Sequence, residues 1–202
     1  MPSFCERLVN RSKKEQILDS ALTLFSANGI DATSTASIAK AAKVANGTLF
    51  HHFDNKQTLV HQLYLSIKHD LSQQFESAAP QDNQNLETIA CQLWNSALDW
   101  AIAFPQKLRF FQLVAASQLL SSEEKANAMA QELGVIMELI TVGQQTGEFA
   151  DHPTELLALN CQGQFFSASN FFIDNPKLAN DPKYRHATFC MFWNALRPLI
   201  KS

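Results

Sequence analysis

Six histidines and four cysteines are the residues of this 202-residue chain with the widest chemical reach. Cys5, Cys91, Cys161 and Cys190 are far apart and form no CxxC pair, so neither a thiolate metal site nor a redox pair is expected. His61 and His69, eight residues apart, fall near one face of a long helix. No cysteine or carboxylate completes a ligand set with them, and no metal or cofactor is expected. Isolated acids such as Asp99, Glu132 and Glu138 lack the partner that acid–base catalysis requires. No nucleophile elbow, P-loop, GxGxxG or HExxH occurs, so an enzyme on a helical scaffold is the weakest reading.

Hydrogen bonding to a nucleic acid is the chemistry that the spacing does favour. Thr33 to Lys56 reads as two short helices, a tight turn between them and the start of a third. Ser34 or Thr35 can cap the first, which packs through Ile38, Ala39 and Ala42. Lys43 and Val44 make the turn. The second runs from about Asn46 to His52 and turns Leu49 and Phe53 inward at i, i+4 spacing. Asn46, Thr48, Phe50, His51 and His52 are left on its outer side. Asp54 or Asn55 then caps a longer helix beginning at Lys56. A short exposed helix braced by another behind it is the helix-turn-helix arrangement that reads the major groove.

Val44 to Lys56, VANGTLFHHFDNK, resembles the signature of TetR-family transcriptional regulators, and Lys13 to Gly29 is similar to that family's first helix. The resemblance covers roughly Lys13 to Leu63. It implies DNA contacts from Ser34, Thr35, Lys43, Asn46, Gly47, Thr48, Phe50, His51, His52 and Lys56. Asn46 and His52 are the candidates for reading bases; Thr35, Thr48 and Lys56 are those for phosphate. Two departures bear on affinity. Ala45 replaces the family's usual capping serine, a loss of about 1 kcal/mol. Phe50 replaces a tyrosine whose hydroxyl reaches a phosphate.

Composition agrees with an ordinary globular protein, 46% of residues being hydrophobic and 17% charged, and the lack of any alternating strand pattern makes the chain all-α. The net charge of -3 is uneven. Residues 1–56 carry seven Lys/Arg against five Asp/Glu, and the remainder nine against fourteen. A mildly basic head on an acidic body suits a nucleic-acid-binding module joined to something else. The first residues hold no apolar signal core and no stretch approaches membrane-spanning length, so a cytoplasmic location without membrane contact is expected.

Beyond an N-terminal arm over residues 1–12, periodicity and Pro/Gly punctuation predict about nine helices and no strands. Lys13–Asn28 ends on Gly29. The helix from about Asn55 to Ser77 carries an i, i+4 stripe of Leu59, Leu63, Ile67, Leu71 and Phe75. A loop follows at Ala78 to Asn85. Five further helices are expected at about Leu86–Phe104, Pro105–Ser117, Ser122–Gly143, Pro153–Phe172 and Pro182–Leu199. The domains divide as a helix-turn-helix head, 1–55, and a helical body for ligand binding and dimerisation, 56–202.

The resemblance further implies a ligand cavity among the middle helices and a dimeric four-helix bundle from the last two. Trp94, Leu98, Phe111, Met137 and Phe165 are the candidate apolar lining, with Gln112, Glu138 and Asn170 as polar anchors. Small residues at Gly163 and Ser167 permit close helix crossing. Phe166, Phe189, Trp193 and Leu196 are the candidate apolar area of an isologous interface. The sequence therefore reads as a homodimeric repressor of a palindromic DNA operator, released by a small-molecule inducer. Control by a protein partner instead of an inducer is the alternative.

Overall fold

The computed structural model describes residues 12–77, 85–132 and 134–198. The expected arm over 1–12 lies outside the described residues except for Ser12, as do Cys5, most of the loop after Ser77, and Leu199. Ten α-helices and one 3-10 turn account for the described chain, with no strand among these residues. They are α1 (Lys13–Asn28), α2 (Thr35–Ala41), α3 (Asn46–His52), α4 (Lys56–Ser77), α5 (Leu86–Ala103), α6 (Pro105–Ala116), α7 (Ser122–Glu132), α8 (Gly134–Gln145), α9 (Thr154–Asp174) and α10 (Pro182–Leu196). The turn, Pro176–Leu178, precedes α10.

The count exceeds the expected nine because the interval expected as one helix, 122–143, holds two, the second opening on Gly134. Glycine is about 1 kcal/mol less favourable than alanine inside a helix. At the far end, α10 stops at Leu196, before Arg197 and Pro198. Proline disfavours the helical conformation of the residue before it, and Arg197 is extended at φ -74°, ψ 149°.

The chain divides into two compact units. One comprises the described part of Met1–Ile67 with Gln106–Ser122; the other comprises that of Lys68–Pro105 with Glu123–Ser202. Residues of α4 therefore belong to both, the first unit ending at Ile67 and the second beginning at Lys68. Every member of the predicted α4 stripe is buried, from Leu59 to Phe75.

In the first unit α1 begins on a capping box. The Ser12 hydroxyl accepts from the Glu15 amide at 3.2 Å, and the Glu15 carboxylate accepts from the Ser12 amide at 2.8 Å. This reciprocal pair satisfies two orphan amides and places an acid at the positive end of the helix dipole. Ile17, Ala21 and Phe25 are fully buried along the inner face. Gly29 closes the helix at φ 86°, ψ 159°, its amide bonded to the Phe25 carbonyl at 2.9 Å. That positive φ is the reason for glycine there. Two ring contacts make α6 part of the same core: Phe110 stacks on Phe25 at 5.8 Å, and Phe111 meets Tyr64 edge-on at 5.4 Å.

The second unit is built on α5, α8, α9 and α10, which pack on one another. Several of its polar side chains are paired, while the buried Ser169 hydroxyl and the Trp193 indole N–H have no hydrogen-bond partner. The Trp100 indole donates to Asp70 at 2.7 Å, the Trp94 indole donates to Thr188 at 3.3 Å, and Arg185 pairs with Asp99 at 2.7 Å. Arg185 also lies over the Phe172 ring, 5.2 Å from its centroid. Trp94 stacks on Phe192 at 4.5 Å, and Trp193 lies between Phe149 and Phe189 at 5.1 and 6.0 Å.

Candidate nucleic-acid interface

The interface is assembled by three helices that share one small core. α2 packs on α1 and α3, and α3 also on α1. Ile38, Leu49 and Phe53 are all fully buried, one behind the other, so α3 cannot turn without exposing them. Thr33, itself 3% exposed, fastens the connection from α1: its hydroxyl donates to the Gly29 carbonyl at 2.8 Å. Ser34 is the cap of α2, accepting from the Ser37 amide at 3.1 Å. The turn is carried by Lys43 at φ 55°, a left-handed conformation unusual for a side-chain-bearing residue. The Val44 amide then bonds to the Ala39 carbonyl at 3.0 Å.

The sequence departure at Ala45 has its expected structural result: α3 starts with no side-chain cap. Burial of Leu49 and Phe53 holds the helix in place of that bond. The next helix has a strong start, since Asn55 accepts from the Thr58 amide at 2.8 Å. Lys56 lies beside this cap and donates to the Asp31 carbonyl at 3.2 Å, tying the start of α4 to the connection between α1 and α2.

None of the residues predicted to meet DNA is buried. Ser34, Lys43, Asn46, Gly47 and His51 are exposed; Thr35, Thr48, His52 and Lys56 are half-buried. Phe50 is 45% exposed, unusual for a phenylalanine without a partner surface. The His51 and His52 rings are 5.4 Å apart and nearly perpendicular, so they present donors in two directions. Lys14 of α1 sits over the Phe53 ring, 5.8 Å from its centroid, which adds a cation beside the same surface. Lys14 is the second residue of α1, next to Lys13.

The other predicted sites are distributed differently. A cleft of about 460 Å³ opens between α9 and α10, lined by Gln164, Ser167, Ala168 and Phe171 on one side and Tyr184, Ala187, Thr188 and Met191 on the other, with Trp94 as well. Of the eight candidate ligand residues only Trp94 lines it. Leu98 and Phe165 are packed into the second unit's core. Phe111 and Gln112 belong to the first unit. Met137 is half-buried, and Glu138 and Asn170 are exposed. The proposed lining thus does not correspond to this cleft. Its lining repeats at i, i+3, i+4, i+7 on both helices.

The dimer candidates also divide. Gly163 and Ser167 are exposed and Phe166 is half-buried, all on the outer side of α9. Phe189, Trp193 and Leu196 are 4%, 4% and 0% exposed within the single chain. These three fill their own unit and have no area left to give a partner. The broad apolar stripe of α10 is the inward face of that helix, and the outward one carries Ala187, Met191, Asn194 and Ala195.

A short exposed helix, braced by two others and followed by a helical second unit, defines a helix-turn-helix protein of the bacterial regulator type. The profile of bacterial regulatory proteins of the tetR family matches residues 17–63. A crystal structure from Shewanella sp. PV-4, assigned to the TetR family of transcription regulators, is 42% identical and superposes with a TM-score of 0.88 over 94% of this chain and 100% of that one. The chain belongs to the TetR family. Among curated relatives, the HTH-type transcriptional repressor KstR2 of Rhodococcus jostii is 39% identical over 59 residues, 29% of this chain and 29% of its own length. The biofilm operon icaADBC negative transcriptional regulator IcaR of Staphylococcus aureus is 41% identical over 49 residues, 24% of this chain and 26% of its own. The chain therefore spans under a third of the length of the curated relatives it matches.

Proposed function

We propose that this protein is a sequence-specific DNA-binding repressor, acting as a homodimer on a palindromic operator and released from it by a small molecule. The observation that carries this reading is α3, whose polar and aromatic outer face stands clear of the chain while Leu49 and Phe53 anchor its back. Repressor activity in two relatives that share this head supports the direction of control. We divide the function at residue 55: residues 1–55 bind the operator, and 56–202 dimerise and sense. The work is DNA binding, with no catalytic step, in the cytoplasm; no described helix is long and apolar enough to cross a membrane.

Asn46 and His52 read bases in this account, and Thr35, Thr48 and Lys56 hold phosphates. Lys56 would exchange its bond to the Asp31 carbonyl for a phosphate oxygen, a stronger charge-assisted partner. The exposed side of α9 meets a second copy through Gly163, Phe166 and Ser167. Control passes along α4, whose residues serve both units. Paired recognition helices must stand roughly 34–36 Å apart, or a multiple of that, so a small tilt of α4 unseats both.

Asn46→Ala is the test of the reading surface. An asparagine that pairs bidentately with adenine supplies about 1–3 kcal/mol of discrimination. The variant is expected to lose that much affinity for operator DNA in a filter-binding titration while binding random duplex as wild type does. Equal losses on both would remove Asn46 from base reading.

A further inference from the structure

We propose that Cys91 on α5 and Cys190 on α10 form a dithiol site that hydrogen peroxide converts to a disulfide within one chain. The two are far apart in the sequence, but α5 and α10 pack on each other. Three contacts fix the register. Arg185 pairs with Asp99 at 2.7 Å, and the Trp94 ring meets Thr188 at 3.3 Å and Phe192 at 4.5 Å, so the helices run antiparallel. Cys91 is one turn before Trp94, and Cys190 lies between the two residues that hold the Trp94 ring. Both thiols are free and half-buried. Packed helix axes are about 8–10 Å apart, with Cα atoms about 2.3 Å off each axis. Cα atoms on facing rims can therefore reach the separation of about 4.4–6.8 Å that a disulfide spans. Burial pushes the Cys91 thiol up, the Asn95 amide lowers it, and Cys190 and Glu87 raise it further. The two sulfurs are thus near enough to act on each other.

Their surroundings give the two thiols different parts. A ring nitrogen of the exposed His186 lies 3.3 Å from the Cys190 sulfur, one turn away on α10. An unprotonated imidazole there takes the thiol proton, and the thiolate is the nucleophile. The Cys91 sulfur instead accepts from the Asn95 amide at 3.4 Å, and its raised pKa keeps its own proton in place. Cys190 therefore attacks first. Its sulfur bonds to one peroxide oxygen, the O–O bond breaks, and the leaving hydroxide takes the proton held by His186 and departs as water. The sulfur, oxidised by two electrons, is now a sulfenic acid. The Cys91 sulfur then attacks it, the S–S bond forms, the S–O bond breaks, and hydroxide leaves with the Cys91 proton as a second water. One peroxide and two thiols give one disulfide and two waters. In a reducing compartment such a bond is transient, formed under oxidant and removed by other thiols. Cys161 stays out of this exchange, its thiol buried and pushed up to about 12. Neither Cys190 nor His186 lines the cleft between α9 and α10, and the site stands apart from the DNA-binding reading.

The test is mass spectrometry of the full chain, first fully reduced and then treated with an equimolar amount of hydrogen peroxide. The intact mass should fall by two hydrogens per chain and return with dithiothreitol, and the peptide map should join Cys91 to Cys190. Cys91→Ser should leave a sulfenic acid on Cys190 that dimedone traps, whereas Cys190→Ser should leave Cys91 unlabelled. His186→Gln should slow iodoacetamide alkylation of Cys190 about threefold or more at neutral pH while keeping the wild-type helical content. Thiols at Cys91 and Cys190 that both survive peroxide in the wild type overturn the site. So does a disulfide that includes Cys5 or Cys161, or one that joins two chains. Dimedone on Cys91 in Cys190→Ser, with none on Cys190 in Cys91→Ser, overturns the order of attack. An unchanged alkylation rate in His186→Gln overturns the part given to the imidazole.

Discussion

Leu196→Asp is expected to unfold the second unit outright. Leu196 is fully buried, and its carbonyl accepts from the Ala150 amide at 2.8 Å, closing the end of α10 against the strand of chain that leads into α9. One turn away, Trp193 is enclosed by the rings of Phe149 and Phe189. Removing the leucine forfeits about 1.5–3 kcal/mol of apolar burial. A carboxylate without a partner in this apolar setting costs several kcal/mol more, unless it takes up a proton. Together these consume most of the ~5–15 kcal/mol that holds a domain together. The variant should lose its cooperative thermal transition by circular dichroism at neutral pH. A folded Leu196→Asp that is merely monomeric would show that Leu196 faces a partner, against its burial here.

Phe53→Ala should be the most damaging change in the DNA-binding head. The ring is fully buried at the end of α3, the Phe53 amide bonds to the Leu49 carbonyl at 2.9 Å, and Lys14 covers the ring from α1. Truncating a buried phenylalanine to alanine typically costs about 3–5 kcal/mol, part of it the cavity left behind. Because α3 has no side-chain cap, little else holds it. Operator and random-sequence binding should therefore fall together, unlike the selective loss from Asn46→Ala, and the head should lose amide protection in hydrogen exchange. Unchanged protection across α1 to α3 would contradict the bracing role given to this ring.

The head was legible almost residue by residue. Its helices are short, each opens on a turn or cap residue, and its buried positions recur at i, i+4, so periodicity and capping agree. Both Lys13–Asn28 and Asn46–His52 have the predicted limits. The capping box of Ser12 and Glu15 stands in the sequence as an S-x-x-E spacing, with Lys13 and Lys14 between its two members. The second unit was legible as helices but not as faces. On α10 the aromatic stripe of Phe189, Phe192 and Trp193 is so broad that periodicity alone cannot say whether a core or a partner receives it. Three-dimensional packing decides, and α5 and α9 take it. The outward face of α10 is instead built from small and isolated residues, Ala187, Met191 and Ala195, that make no strong hydrophobic pattern. The cleft was hidden for the same reason: its walls come from two helices whose pairing no local signal reveals.

The central claim, that two copies of α3 read a symmetric DNA site, is tested most directly by selecting duplexes from a random pool with the full chain and footprinting the winners. The account predicts enrichment of an inverted repeat, bound about 10³-fold or more tightly than random duplex at the same salt. Two protected half-sites should lie roughly 34–36 Å apart or a multiple of that spacing. A pool that yields no enriched sequence, or a single protected site without a symmetric mate, would contradict it.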